Sequence, residues 1–98
     1  MRKITRESVD KFLSKVPFKK SNMEVIKDTD VYKLKLHGNT IATLDALNML
    51  SISNAGWRSN TTKERLNGLP NVRINQKNWN WFLNGQEWGG EWTRVGIV

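Results

Sequence analysis

The hydrophobic residues at the start of the chain follow the spacing of one helical face. Val9, Phe12 and Val16 recur at intervals of three and four residues, which is the period of an amphipathic helix. Thr5 precedes this stretch and is the predicted N-cap, because its hydroxyl can accept from a backbone N–H of the first turn. Pro17 cannot continue a helix and is predicted to end it. The first predicted element is therefore a short N-terminal helix.

An alternation of apolar and polar residues follows the first helix and predicts strands. Residues 23–27 and Val31–Leu36 alternate on either side of the turn-forming residues 28–30, which predicts a β-hairpin. Two further strands are predicted over residues 40–44 and 49–53. These four segments predict a run of antiparallel strands directly after the helix.

A second helix is marked at both of its ends. Thr61 and Glu64 fit the S/T-x-x-E capping box, in which each side chain satisfies a backbone N–H of the first turn. Gly68 suits the position that follows a helix, and Pro70 prevents continuation. The predicted helix has only about two turns, so packing rather than propensity must stabilise it.

The C-terminal third predicts a β-meander. The predicted strands cover residues 72–77, 79–83 and 86–88, and residues 91–95 can close the meander as an edge strand. Asn84–Gly85 is a strong hairpin signal, because a type I′ turn needs positive φ at both central positions. Trp79, Trp81 and Leu83 alternate on one strand face and are predicted to lie in the core. Residues 91–95 would form a sheet edge, and two chains could dimerise by pairing these edges. The sequence does not determine the oligomeric state.

The order of these elements predicts the α+β class. It reads α-β-β-β-β-α-β-β-β, with an N-terminal helix, antiparallel strands, a short second helix and the C-terminal meander. A length of 98 residues fits a single domain over residues 1–98.

Composition excludes several classes of function. The chain has no Cys and a single His, so it lacks the ligands of a typical zinc site and has no thiol nucleophile. Its carboxylates form no acid–base pair by spacing, and it contains no phosphate-binding glycine motif. No apolar run approaches the roughly 18–20 residues of a membrane span. We therefore expect no enzymatic activity, no metal or other cofactor, and no membrane partner.

Four sequence blocks carry a resemblance to a known family. They read LHGNTIA at residues 36–42, NAGWRSNTTKERLNGLP at 54–70, QKN at 76–78 and WFLNG at 81–85. With these blocks the chain resembles a family of small proteins encoded by tailed bacteriophages. The resemblance implies a phage gene expressed in the cytoplasm of the bacterial host, and it brings no catalytic residue and no cofactor.

Charge and aromatic content indicate a binding protein. The chain has a net charge of +7, and five of its 98 residues are Trp. Cations that follow phosphates and rings that stack on bases are the two requirements of a groove for single-stranded nucleic acid. The candidate binding residues are Lys11, Lys15, Lys33, Lys35, Arg58, Lys63, Arg65, Arg73, Lys77, Trp57, Trp88 and Trp92. The preferred hypothesis is nucleic-acid binding, with single strands favoured, through a basic face formed by the first helix and the sheet.

A protein partner is the alternative. Glycines and glutamates surround Trp88 and Trp92, so both rings are predicted to be partly exposed, and exposed Trp is enriched at interface hot spots. A positive face also suits an acidic host protein complex. Under this alternative the chain would take part in host takeover as an inhibitor or modulator of a defence system or a polymerase.

Overall fold

A computed structural model describes all 98 residues as two helices and nine strands. The helices are α1 (Lys3–Leu13) and α2 (Asn60–Leu66). The strands are β1 (Phe18–Lys20), β2 (Met23–Asp28), β3 (Val31–Leu36), β4 (Asn39–Leu44), β5 (Met49–Ile52), β6 (Ile74–Lys77), β7 (Asn80–Leu83), β8 (Gln86–Glu87) and β9 (Thr93–Ile97). The predicted α+β class is confirmed. Neither helix combines the length and the apolar character that a membrane span requires.

The strands form two antiparallel sheets. The larger sheet has the order β1-β2-β3-β4-β5-β9, and the smaller has the order β6-β7-β8. Helix α1 packs against β1, β2 and β3, while α2 contacts β4. The core lies between the larger sheet and these covering elements. It joins Phe12 of α1, Leu34 of β3 and Trp81 of β7 in one cluster of 18 buried hydrophobic residues.

Both helices begin at positions other than the predicted ones. Helix α1 starts after Arg2, whose side chain makes no capping hydrogen bond. The predicted cap, Thr5, lies inside the helix and is buried. Its hydroxyl donates to Glu64 of α2, so Thr5 links the two helices instead of capping one of them. α1 also ends at Leu13, before Pro17 is reached.

The cap of α2 is Ser59 and not Thr61. Ser59 Oγ accepts from the backbone N–H of Thr62 at 3.1 Å. The predicted capping box fails because its acidic member, Glu64, accepts from the N–H of Arg2 and from Thr5 instead. A tertiary contact has thus replaced a local one.

The strands also differ from the prediction in two places. β1 was not predicted, because two of its three residues are Lys and it has little alternation to read. The last strand was predicted as part of the C-terminal meander, but β9 pairs with β5 of the larger sheet, where Met49 lies opposite Ile97. The C-terminal strands therefore divide between two sheets.

Candidate nucleic-acid interface

Helix α2 lies along β6, and three hydrogen bonds fix their relative direction. Asn67 Nδ2 donates to the carbonyl oxygen of Ile74 at 3.1 Å, and Asn67 Oδ1 accepts from the N–H of Ile74 at 2.7 Å. One helical turn earlier, Lys63 Nζ donates to Gln76 Oε1 at 3.0 Å. Helix α2 and strand β6 therefore run in opposite directions, so the start of α2 lies beside the end of β6. The N-terminal end of α2 and the β6–β7 turn lie at the same end of this pair.

This end of the molecule carries two exposed indole rings and three cations. Trp57 is 61% exposed and Trp79 is 85% exposed. No carboxylate lies within ion-pair distance of the three basic side chains, since the ion pairs of the chain involve other lysines and arginines. We call this region the tryptophan–cation surface and define it as Trp57, Arg58, Lys63, Lys77 and Trp79.

Trp79 is exposed because it lies in a turn and not in a strand. Lys77 pairs with Asn80, so Asn78 and Trp79 form the two-residue connection between β6 and β7. Both have positive φ, 50° and 72°, as a type I′ turn requires. The prediction that Trp79 shares the core face with Trp81 is therefore wrong. This is the exposed aromatic residue that the alternation pattern missed, and the break between the predicted strands 72–77 and 79–83 was the available signal.

The loop that presents Trp57 is anchored to the C-terminal segment. Trp57 N–H donates to the carbonyl oxygen of Asn54 at 2.9 Å, which closes a turn through Ala55 and Gly56. Both of these residues have positive φ, 55° and 83°. The N–H of Asn54 in turn donates to the carbonyl oxygen of Gly90 at 3.0 Å. Backbone hydrogen bonds thus hold the position of Trp57 although its ring is exposed.

Gly90→Ala is expected to destabilise the fold more than Gly85→Ala. Both glycines have positive φ, 95° and 89°, so alanine costs about 1–2 kcal/mol at either position. A Cβ at Gly90 would lie 2.1 Å from Asn54 Nδ2, whereas a Cβ at Gly85 would meet no atom within 4 Å. We therefore expect Gly90→Ala to lower the free energy of unfolding by about 2–3 kcal/mol. Urea unfolding measures both losses, and equal values would contradict this close packing.

Comparison with known proteins identifies the family of the chain. The family model described as Kyanoviridae Gp96 protein matches residues 1–96. The chain belongs to this family. No curated protein and no solved structure matches it. Because Kyanoviridae are phages, the phage origin that the sequence blocks predicted is confirmed.

Four of the predicted lysines of this Gp96-family chain lie on elements outside the tryptophan–cation surface, two on β3 and two on α1 and the turn after it. Lys33 and Lys35 alternate with buried Leu34 along β3, so they lie on the outer face of the larger sheet. Lys11 belongs to α1, which covers the inner face. Lys15 is half-buried in the turn after α1. The first helix and the sheet therefore do not form one continuous basic face.

Lys33 is also partly neutralised. Its Nζ donates to Asp28 Oδ2 at 2.8 Å. This hydrogen bond, together with the positive charge of Lys33, lowers the pKa of Asp28. The carboxylate is held in its charged form and reduces the positive potential around Lys33.

Arg65 is buried and serves the fold instead of a ligand. It is 2% exposed, and its Nη1 donates to Thr5 Oγ1 at 3.1 Å and to Glu64. Its Nη2 donates to Asn22 Oδ1 at 3.2 Å, while its buried Nε has no partner. Burial raises the pKa of Glu64, but hydrogen bonds from Thr5, Arg2 and Arg65 outweigh burial and hold the pKa below its ordinary value. Arg65 therefore joins α1, α2 and the chain before β2.

Trp88 is buried as well, so the prediction of its partial exposure is wrong. Its ring centroid lies 6.4 Å from that of Trp81. Its Nε1 donates to the carbonyl oxygen of Glu91 at 3.1 Å and to Thr93 Oγ1 at 2.9 Å. A ring with packing on its faces and partners for its N–H needs no further ligand. The neighbouring glycines had suggested exposure, but they permit the bend that brings these partners to the ring.

Two more residues that were predicted to bind a ligand, Arg73 and Trp92, are exposed but lie outside the tryptophan–cation surface. Arg73 precedes β6, at the opposite end from Lys77, and its N–H donates to Asn84 Oδ1 at 2.9 Å. Trp92 is exposed, as predicted, and precedes β9. The structure groups no three His, Asp or Glu side chains that could hold a metal ion.

Proposed function

We propose that this phage protein is a non-enzymatic protein that binds single-stranded nucleic acid in the cytoplasm of the infected host. The observation that carries the proposal is that two exposed tryptophans and three cations without an ion-pair partner belong to the segments at one end of the α2–β6 pair. Trp79 is 85% exposed, so nearly all of its large apolar ring is free to contact a ligand. Trp57 is exposed on a loop whose backbone is fixed by hydrogen bonds.

The chemistry of the tryptophan–cation surface favours single strands over duplexes. An exposed indole can stack on a base only when the face of that base is free, and in a duplex the neighbouring pairs cover it. Each stacked base contributes about 1–3 kcal/mol in proteins that bind single strands. Lys63, Arg58 and Lys77 supply charge for the phosphates between such bases. Lys63 donates only to the neutral oxygen of Gln76, so its positive charge is available.

A titration with fluorescent oligonucleotides at several salt concentrations tests this proposal. Three phosphate contacts to a single strand predict a slope of about −2 in a plot of log K against log salt. Replacement of Lys63 and Lys77 together by Ala should reduce the slope to about −0.7, because only Arg58 remains. The matched control replaces Lys3 and Lys27 by Ala, since both are exposed and lie on other elements. The control should keep the slope of the unmodified protein.

Two results would overturn the proposal. One is the absence of binding even at about 50 mM salt, where electrostatic contacts are strong. The other is an equal loss in the control, which would show that only the net charge matters. The absence of binding would leave the positive charge for an acidic protein partner, and an equal loss in the control would show that the tryptophan–cation surface is not the binding site.

A further inference from the structure

A cavity of about 390 Å³ lies beside the tryptophan–cation surface. One wall is formed by His37, in the turn between β3 and β4, and by Asn39 at the start of β4. The opposite wall is the loop before α2 and its first turn, with Asn54, Trp57 and Thr61. Its volume lies within the range of about 300–1,000 Å³ that is usual for small-molecule pockets. Two segments that are separate in the sequence thus meet around one opening.

Polar groups without partners line this cavity. Asn54 is only 4% exposed, and its Oδ1 accepts from the N–H of Gly56 at 2.8 Å. Its Nδ2 donates no hydrogen bond within the chain. This atom is not fully enclosed, since Arg65 Nε is the one fully buried side-chain nitrogen or oxygen that lacks a partner. Thr61 is half-buried and its hydroxyl also lacks a protein partner. Because this donor is not used by the fold, a ligand that enters the cavity and displaces water can accept from it.

The lining excludes strongly charged ligands and favours a planar ring. It contains no Lys, Arg, Asp or Glu, and His37 is its only titratable side chain. The ring of Trp57 offers a stacking face, while amide and hydroxyl groups offer hydrogen bonds to ring edges. The cations Arg58 and Lys63 follow closely in the sequence but lie outside the lining. The cavity is thus lined by uncharged amide, hydroxyl and aromatic groups, and the positively charged side chains lie outside it.

We infer that the cavity receives one nucleobase of a bound strand, stacked on Trp57 and hydrogen-bonded by Asn54 and Thr61. The inference rests on the proposed function and extends it, since it separates a single recognised base from the phosphates that the cations bind. Amide and hydroxyl groups that read a base edge would make the protein prefer one base at this position. The other bases of the strand would be bound through stacking and charge alone.

The test titrates isotope-labelled full-length protein with adenosine, guanosine, cytidine and uridine, and follows backbone amide resonances. These nucleosides carry no phosphate, so the cations contribute little to their binding. We expect one nucleoside to shift the amides of His37, Asn39 and Asn54 more than the others do. Thr61→Val keeps the shape of the side chain and removes the hydroxyl, and it should weaken this nucleoside about fivefold. Thr43→Val, on the outer face of the larger sheet, is the matched control and should change nothing.

The outcomes separate this inference from the proposed function. If oligonucleotides bind with the expected salt slope but no nucleoside shifts these amides, the base pocket is wrong and the proposed function stands. If a nucleoside shifts them while oligonucleotides do not bind, the cavity is a nucleoside site and the proposed function is wrong. Equal weakening by Thr61→Val and Thr43→Val would also overturn the base pocket.

Discussion

Replacement of Trp81 by Ala is expected to lower the free energy of unfolding by about 3–5 kcal/mol. Trp81 is 1% exposed and packs against Trp88 in the cluster that joins the smaller sheet to the larger one. Removal of its indole leaves a cavity in this cluster, because the surrounding side chains can fill the space only in part. Because a domain of this length has a total stability of about 5–15 kcal/mol, the variant should be largely unfolded at moderate denaturant concentration.

Trp79→Ala is the matched control, since it makes the same substitution two residues earlier. Its ring is exposed, so we expect a change of less than about 0.5 kcal/mol. Urea unfolding followed by circular dichroism measures both variants without relying on Trp emission. Similar losses for the two variants would mean that Trp79 packs into the fold, and the tryptophan–cation surface would then lose its most exposed ring.

Arg65→Ala is expected to lower the free energy of unfolding by about 3–4 kcal/mol. The substitution leaves Glu64 with a partly buried negative charge and removes the donors to Thr5 and Asn22. The loss is limited because Arg65 Nε already lacks a partner in the native fold. Arg94→Ala, which removes an exposed arginine of β9, should cost less than about 0.5 kcal/mol.

The pH dependence of stability provides a second readout for Arg65. The folded-state pKa of Glu64 lies below its ordinary value of 4.5, so its contribution is present above that pH. This contribution is lost as the pH falls through the lowered pKa of the folded state. In Arg65→Ala the pKa of Glu64 should rise, and the variant should lose less stability on acidification than the unmodified protein does. An unchanged acid-side loss would show that Arg65 does not hold the charge of Glu64.

Local patterns were sufficient for the elements whose signals lie within the segment itself. The hairpin of β2 and β3 was predicted from alternation on both sides of a turn, and Asp28 does pair with Val31. The Asn84–Gly85 turn was also predicted, and both residues have positive φ. In each case the turn residues and the strand pattern favour the same structure. Agreement between these two levels made the prediction reliable.

The errors arise where a distant partner decides the outcome. Thr5 and Glu64 are both residue types that cap helices, but here the Thr5 hydroxyl of α1 donates a hydrogen bond to the Glu64 carboxylate of α2. The partner of β9 is β5, and no signal within either segment specifies that choice. Trp88 looked exposed because its neighbours are small and acidic, while its burial depends on Trp81 and Thr93. Such contacts become visible only once the chain is folded.

The candidate site shows the same division. Of the residues predicted from the sequence to bind a ligand, Trp57, Arg58 and Lys77 are exposed and Lys63 is half-buried, and their part in binding stays a prediction. Their grouping depends on the hydrogen bonds that align α2 with β6, which the sequence does not reveal. Trp79 belongs to this group only because it lies in the turn between β6 and β7 and not on the core-facing side of a strand.

The pairing of β5 with β9 has a consequence for the synthesis of the protein. Strands β1 to β5 are neighbours in the sequence and can assemble while the chain is still growing, since their loops are short. The edge of β5 stays open until Ile97 has left the ribosome, because Ile97 pairs with Met49. In a chain that terminates before β9 the sheet edge moves from β9 to β5, and the open backbone of β5 is then a template for association with other chains. Copies that lack β9 are therefore expected to aggregate or to be degraded more readily than the 98-residue chain.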